Sequence, residues 1–104
     1  MNRRPAALLL LALGFTAPAS AGGGGGLAVR YICAGNVGLQ ATYAGPHARV
    51  VGGGQVLELT QAVSGSGARY VGGGYTWWIN GGVAELYRGE TPGALTSLRQ
   101  CQEG

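Results

Sequence analysis

Short alternations of apolar and polar residues, separated by glycine or proline, make up the chain from residue 28 onward. Alternation with a period of two is typical of a strand that buries one face, and short runs at regular spacing are typical of an all-β domain. The pattern predicts about eight strands, over residues 28–33, 39–43, 48–51, 55–63, 68–71, 75–79, 83–87 and 95–102. Such antiparallel strands form either a small β-barrel or a sandwich.

The alternation also assigns faces and turns. Trp77 and Trp78 are adjacent, so they point to opposite sides of the sheet and at least one is expected to be less buried. Asn80-Gly81 is the strongest hairpin signal, because a type I′ turn requires positive φ at both central residues. A turn over residues 80–82 is therefore predicted, with Asn80-Gly81 as its type I′ pair.

The first 21 residues have the layout of a secretory signal peptide. Arg3 and Arg4 precede an apolar stretch, and small residues at Ala19 and Ala21 mark a cleavage site. Residues 22–26 are expected to form a flexible glycine leader, and residues 27–104 are expected to form one domain. No cysteine stands at the cleavage point to carry a lipid, so a soluble periplasmic or secreted protein without a membrane anchor is expected.

Composition narrows the function classes. The chain has 22 Gly and 11% charged residues, with no Lys and no Asp. Without Arg3 and Arg4 the charge falls from +3 to about +1, which gives no basic patch for nucleic acid. Two Cys and one His are too few for a metal cluster. We expect a binding protein without cofactor or metal, not an enzyme.

Cys33 and Cys101 are expected to form a disulfide, since two cysteines in an exported domain most simply pair. Closing a loop of about 68 residues removes roughly 4 kcal/mol of unfolded-state freedom on the chain-entropy model. Two buried free thiols are the alternative.

Other candidate chemistry is weaker. The triple-glycine segments lie between strands, whereas a phosphate loop leads from a strand into a helix. A triad of His47, a glutamate and either Ser64 or Ser66 rests on composition alone, because no strand-to-helix elbow surrounds either serine. The aromatic group in 75–78 is either a sugar-stacking platform or core. The four carboxylates are interpreted as solvated: Glu58, Glu85, Glu90 and Glu103.

Residues 64–86 stand out as two short loops, one around Ser66 and one around Asn80, separated by one hairpin. Both loops are expected at one end of the barrel, where they present small polar groups to the cleft of a partner.

Four motifs resemble one known family. They are Tyr31-Ile-Cys33, Ser64-Gly-Ser-Gly-Ala-Arg-Tyr70, Trp78-Ile-Asn-Gly-Gly-Val-Ala-Glu-Leu86 and Cys101. This order is similar to that of the bacterial inhibitors of C-type lysozyme, both membrane-bound and periplasmic (MliC and PliC). The resemblance implies an eight-stranded barrel with bridged cysteines that blocks the lysozyme cleft and so protects bacterial peptidoglycan.

In that family the second serine of the Ser-x-Ser-Gly loop and the lysine of the Trp-x-Lys-Gly loop reach the catalytic carboxylates of lysozyme. The resemblance implies these roles for Ser66 and Asn80, with Arg69 and Tyr70 supporting the loops or, for Tyr70, packing in the core. Asn80 departs from the family lysine and brings no charge. The alternative is therefore a divergent barrel of the same fold that binds another envelope protein or a glycan; oligomeric state stays open.

Overall fold

The structure, a computed structural model, describes residues 26–104, and within that range eight antiparallel strands close a β-barrel in chain order. This confirms the predicted all-β fold and selects the barrel over the sandwich. The predicted signal peptide and residues 22–25 of the leader lie outside the described residues. The strands are β1 (Leu27–Cys33), β2 (Val37–Ala44), β3 (His47–Gly52), β4 (Gln55–Ala62), β5 (Ala68–Gly72), β6 (Tyr75–Asn80), β7 (Val83–Arg88) and β8 (Thr96–Glu103).

Inward-facing residues from every strand fill the barrel. Trp77 is completely buried, and its ring meets that of Tyr31 edge to face with centroids 5.2 Å apart. Trp78 lies half-buried on the outer face, as the alternation predicts. The buried hydrophobic residues are Tyr31, Cys33, Leu39, Ala41, Ala48, Val50, Leu59, Tyr70, Trp77, Ala84, Leu86 and Cys101. Because the interior is filled, a partner can meet only the outer faces and the loops.

Three aromatic side chains in the barrel satisfy one another's polar groups. Trp77 Nε1 donates a hydrogen bond to Tyr43 Oη at 2.8 Å, and the Tyr43 and Tyr31 hydroxyls are hydrogen-bonded at 2.8 Å. Burial raises the pKa of both tyrosine hydroxyls. Buried polar groups are costly when unpaired, so this chain of contacts allows large amphipathic rings inside a small barrel.

The two triple-glycine segments are hairpin turns. Residues 53–54 and 73–74 have positive φ at both positions, as type I′ turns require. The glycine before the second turn lies against a neighbouring strand, since a Cβ on Gly72 would stand 2.5 Å from the Glu58 carbonyl oxygen. Each segment joins two antiparallel strands, which agrees with the turn interpretation and not with a phosphate loop.

The connection between β7 and β8, residues 89–95, folds back over the outer face of the sheet. Its Gly89 carbonyl oxygen accepts a hydrogen bond from Thr76 Oγ1 at 2.7 Å, and Thr76 is fully buried. Gly74 N donates to Glu90 Oε2 at 2.7 Å. We call this segment, which includes a 3-10 turn over Pro92–Ala94, the outer cover. Among the described residues, no helix has the length and apolar character needed to cross a membrane.

Strands β1 and β8 close the barrel through three residue pairs, the last of which is Cys33 with Cys101. These two cysteines are joined by a disulfide, as predicted. Close by, Glu103 N donates to the Gly82 carbonyl oxygen at 2.9 Å. The end of β8 therefore lies beside the turn between β6 and β7.

Candidate functional site

The loops around Ser66 and Asn80 lie at the same end of the barrel, as predicted. The first, which we call the serine loop, comprises residues 64–67 between β4 and β5. Gly67 has a φ of +64°, and a Cβ on it would overlap the Ile79 carbonyl oxygen and stand 2.5 Å from Asn80 Oδ1. The serine loop therefore packs directly against the end of β6, with Asn80 beside it.

Trp78 and Ser64 hold the backbone of the serine loop. Trp78 Nε1 donates to the Ser66 carbonyl oxygen at 2.9 Å. The Ser64 hydroxyl donates to the same oxygen and accepts from Ser66 N at 3.3 Å. The exposed side chain of Ser66 is thus presented on a backbone that is fixed from two sides.

Arg69 joins the residue that precedes the serine loop to the outer cover. It is 8% exposed, and its Nε and Nη2 donate to the Val63 carbonyl oxygen at 3.0 and 2.9 Å. Its Nη1 donates to the Glu90 carbonyl oxygen at 2.9 Å, and its guanidinium lies 5.6 Å from the centroid of the Trp78 ring. A planar guanidinium with fixed donors suits this bridging position.

Tyr70 points into the barrel. It is 7% exposed, and its ring lies 5.6 Å from that of Tyr43 at an angle of 40°. The expectation that Tyr70 could pack in the core therefore agrees with the structure. Ser66 and Asn80 lie at the surface, with Arg69 behind the loop and Tyr70 beneath it.

The predicted turn over residues 80–82 is wrong at its first residue, and its predicted type I′ pair Asn80-Gly81 is wrong as well. Asn80 is the last residue of β6 and pairs with Val83, so Gly81 and Gly82 form the turn. Only Gly81 of the three has positive φ, at 60°, a pattern of type II′ and not type I′. The shift keeps Asn80 on the outer face of β6, two residues from Trp78, instead of at the tip of a hairpin.

A groove of about 260 Å³ opens beside these loops on the outer face of the barrel. The sequence pattern does not reveal this groove. The alternation does put Val83, Glu85 and Tyr87 together on one face of β7. The cross-strand pairing that brings this face next to Trp78 is visible only in the fold. The lining residues are Ser66, Trp78, Asn80, Val83, Glu85 and Tyr87.

Glu85 provides the charge in this groove. Its Oε2 accepts a hydrogen bond from Ser97 Oγ at 2.6 Å and lies 3.5 Å from Gln100 Nε2. The Ser97 hydrogen bond lowers the pKa of the Glu85 carboxyl below its usual value, so the group is ionised at neutral pH.

The structure does not support the weaker candidates, a catalytic triad and a metal site. His47 is exposed at the start of β3, and across residues 26–104 no hydrogen bond joins it to Ser64 or Ser66. The described part of the chain holds no group of three or more His, Cys, Asp or Glu side chains suited to a metal ion.

Comparison with known families decides the assignment. The family of membrane-bound lysozyme inhibitors of c-type lysozyme, MliC, matches residues 31–94. The chain belongs to this family. Because the MliC description is that of an enzyme inhibitor, the expectation that the chain is not an enzyme is confirmed.

A solved structure supports the same fold. The chain is similar to Pseudomonas aeruginosa MliC, crystallised in complex with hen egg white lysozyme, with 24% sequence identity and a TM-score of 0.54. The similarity covers 88% of this chain and 99% of that one. A search of the curated proteins returned no significant match. The MliC match contains all four predicted contact and support residues, Ser66, Arg69, Tyr70 and Asn80.

Proposed function

We propose that this MliC-family barrel inhibits a C-type lysozyme by seating the serine loop and Asn80 in the enzyme's active-site cleft. The observation that carries the proposal is the direct packing of Gly67 against Asn80, which leaves Ser66 and Asn80 exposed side by side. Two small polar side chains on neighbouring fixed backbones suit a narrow cleft better than a mobile loop would, because less conformational freedom is lost on binding.

The chemistry of the cleft explains why hydrogen-bond donors are needed there. Lysozyme works with two carboxyl groups that flank the scissile bond. The Ser66 hydroxyl and the Asn80 side-chain amide each offer a donor to such a carboxylate. A charge-assisted hydrogen bond of this kind is stronger than one between neutral groups. Occupying both carboxyl groups blocks substrate without any reaction on the inhibitor.

Asn80 sets the expected strength of inhibition. A lysine in its place, as the family has, would add a positive charge against the lysozyme carboxylates. Without that lysine the binding free energy is weaker by on the order of 1–3 kcal/mol, which corresponds to about ten- to a hundredfold in affinity. We therefore expect this chain to be a weaker inhibitor than its own Asn80→Lys variant by that factor.

A lysis assay tests the proposal. Protein from Gly22 onward is titrated against hen lysozyme acting on a suspension of bacterial cell walls, alongside Asn80→Lys and Ser66→Gly variants. Gln40→Lys is the matched control, because it adds the same charge on the exposed face of β2. The expected order of inhibition is Asn80→Lys, then natural protein and Gln40→Lys together, then Ser66→Gly.

Two other outcomes would change the assignment. Equal inhibition by the natural protein and Ser66→Gly would rule out the serine loop as the inserted element. Inhibition by Asn80→Lys alone would favour the alternative of a divergent barrel whose natural partner is another envelope protein or a glycan. The asparagine at position 80, where the family has lysine, is the observation that supports this second candidate.

We propose a periplasmic or secreted location. The Cys33–Cys101 disulfide supports it, because structural disulfides persist in oxidising compartments. The disulfide also uses both cysteines of the sequence, which leaves neither free to carry a thioether-linked lipid. Fractionation of expressing cells, with the protein recovered in the osmotic-shock fluid or the medium, is the expected result. Recovery with the membranes would contradict it.

A further inference from the structure

The groove beside the serine loop has a charge that the proposed cleft contact does not use. Ser66 and Asn80 line it together with Val83, and the remaining lining side chains are those of Glu85, Tyr87 and Trp78. These three side chains form what we call the acidic groove. It lies next to the proposed lysozyme contact, so a bound partner would cover it.

No arginine of the described residues neutralises Glu85. The ion pair that forms within residues 26–104 joins Arg49 to Glu58, with Nε and Oε2 2.8 Å apart. Arg69 donates to two carbonyl oxygens and already lies over the Trp78 ring, 5.6 Å from its centroid, and Arg88 lies over the ring of Tyr75, 5.7 Å from its centroid. A half-buried carboxylate that Ser97 holds in its ionised form is therefore left to attract a cation from outside.

The walls of the acidic groove are aromatic. The rings of Trp78 and Tyr87 meet at 70° with centroids 6.4 Å apart. Aromatic faces next to a carboxylate suit a guanidinium better than an ammonium, because a guanidinium is planar, weakly hydrated and able to stack while it donates hydrogen bonds. The chemistry therefore specifies a planar cation.

We propose that the acidic groove binds an arginine side chain of the partner lysozyme. This step rests on the proposed function and adds the anchoring contact to it. It also explains how a chain without the family lysine can hold a cationic enzyme: a carboxylate of the inhibitor attracts a guanidinium of the lysozyme at the rim of the cleft. In this contact the negative charge lies on the inhibitor and the positive charge on the lysozyme, whereas a family lysine places the positive charge on the inhibitor.

The groove can be tested without lysozyme. Natural protein labelled with ¹⁵N is titrated with N-acetyl-arginine amide, and the two tryptophan indole N–H signals are followed by NMR. Trp78 lines the groove, whereas Trp77 is buried on Tyr43 and reports whether the fold is intact. We expect the Trp78 signal to shift and saturate in the millimolar range while the Trp77 signal stays in place.

Matched variants assign the effect to Glu85. Glu85→Gln keeps the shape of the side chain and its contacts with Ser97, and we expect it to weaken the arginine titration about tenfold. Glu58→Gln removes the same charge from β4, outside the groove, and should change the titration less than twofold. An unmoved Trp78 signal, equal titrations for Glu85→Gln and natural protein, or tighter binding of an N-acetylglucosamine trimer than of the arginine probe would each overturn the proposal.

Lysozyme affinity separates this inference from the proposed function. By calorimetry with hen lysozyme we expect Glu85→Gln to bind about tenfold more weakly and Glu58→Gln to bind like the natural protein. Lysozyme binding that is unaffected by Glu85→Gln would overturn the groove contact and leave inhibition standing. An arginine titration that depends on Glu85, together with no lysozyme binding, would overturn both the proposed inhibition and the lysozyme contact of the groove, and would leave only a site for guanidinium groups.

Discussion

Arg69 is the second residue of β5, and its guanidinium joins two segments of the chain, one six and the other 21 residues away in sequence. It holds the Val63 carbonyl oxygen before the serine loop and the Glu90 carbonyl oxygen of the outer cover. The family motif implies a supporting role for Arg69. The second contact, to the outer cover, could not be predicted, because it depends on where residues 89–95 fold back.

Arg69→Lys tests this support. A lysine cannot reproduce the planar fork of donors, so we expect a loss of about 2 kcal/mol in the free energy of unfolding, measured by urea denaturation. Arg49→Lys is the control, since Arg49 belongs to an exposed ion pair and should cost about 0.5 kcal/mol or less. Equal unfolding midpoints for the two variants would contradict the role of Arg69.

Tyr43 predicts how stability depends on alkaline pH. Burial raises the pKa of its hydroxyl well above the ordinary value of 10.0, so the native state keeps the proton that the unfolded chain loses. Stability is therefore fully present below pH 10 and falls as pH rises beyond it. Urea unfolding of the natural protein from pH 8 to 11.5 should show this fall.

The matched variant for that experiment is Tyr43→Phe. It leaves the Trp77 indole N–H without its acceptor, which should cost about 1–3 kcal/mol at pH 8. Its stability should then fall less steeply above pH 10 than that of the natural protein. Parallel slopes for both proteins would show that Tyr43 does not cause the alkaline loss.

At the scale of the elements, glycine turns made the eight strands predictable to within about two residues at each end. The turn at Asn80 was wrong because Asn80-Gly81-Gly82 offers two overlapping pairs of turn residues. Only the cross-strand register, which pairs Asn80 with Val83, decides between them. The groove was missed for the same reason: alternation gives the face of a residue but not its neighbour across the sheet.

Gly67→Ala tests the contact between the serine loop and β6. The added Cβ would overlap the Ile79 carbonyl oxygen in a backbone of positive φ, so we expect the loop to move away and inhibition to fall at least tenfold. The hydrogen bond from Trp78 to Ser66 should weaken, and hydrogen exchange of the Trp78 indole N–H should become faster.

The glycines of the chain provide a close control. Gly73 has nearly the same φ, +60°, but nothing lies within 4 Å of a Cβ placed on it. Gly73→Ala should therefore cost about 1 kcal/mol of stability and leave both inhibition and indole exchange unchanged. Similar loss of inhibition in both variants would mean that backbone strain, and not the loop contact, is responsible.

At the scale of the molecule, strand count, antiparallel order and the pairing of two cysteines were enough to predict a disulfide-bonded all-β domain. The strand pattern alone leaves barrel and sandwich open, because the choice depends on whether the first and last strands pair; the barrel that the family resemblance implies is confirmed. The structure pairs them through three residue pairs, with the disulfide in the last one. The covalent bond thus reinforces a short closing contact.

Replacing both Cys33 and Cys101 by alanine should destabilise the barrel strongly. The bond closes a sequence separation of 68 residues, and its loss should cost roughly 4 kcal/mol on the chain-entropy model. Urea unfolding measures the loss, and amide hydrogen exchange should be fastest at the β1–β8 contact. A loss below about 1 kcal/mol would mean that strand pairing alone closes the barrel.

The contact between Glu103 and Gly82 has a practical consequence for anyone who purifies or immobilises the protein. Whatever follows Gly104, including an affinity tag, emerges beside the turn that borders Asn80 and the acidic groove. The hairpin at residues 73–74 joins the opposite ends of β5 and β6 and projects from the far end of the barrel. A label or surface attachment placed there would leave free the end that we propose to face lysozyme, whereas one placed after Gly104 would lie beside that proposed contact.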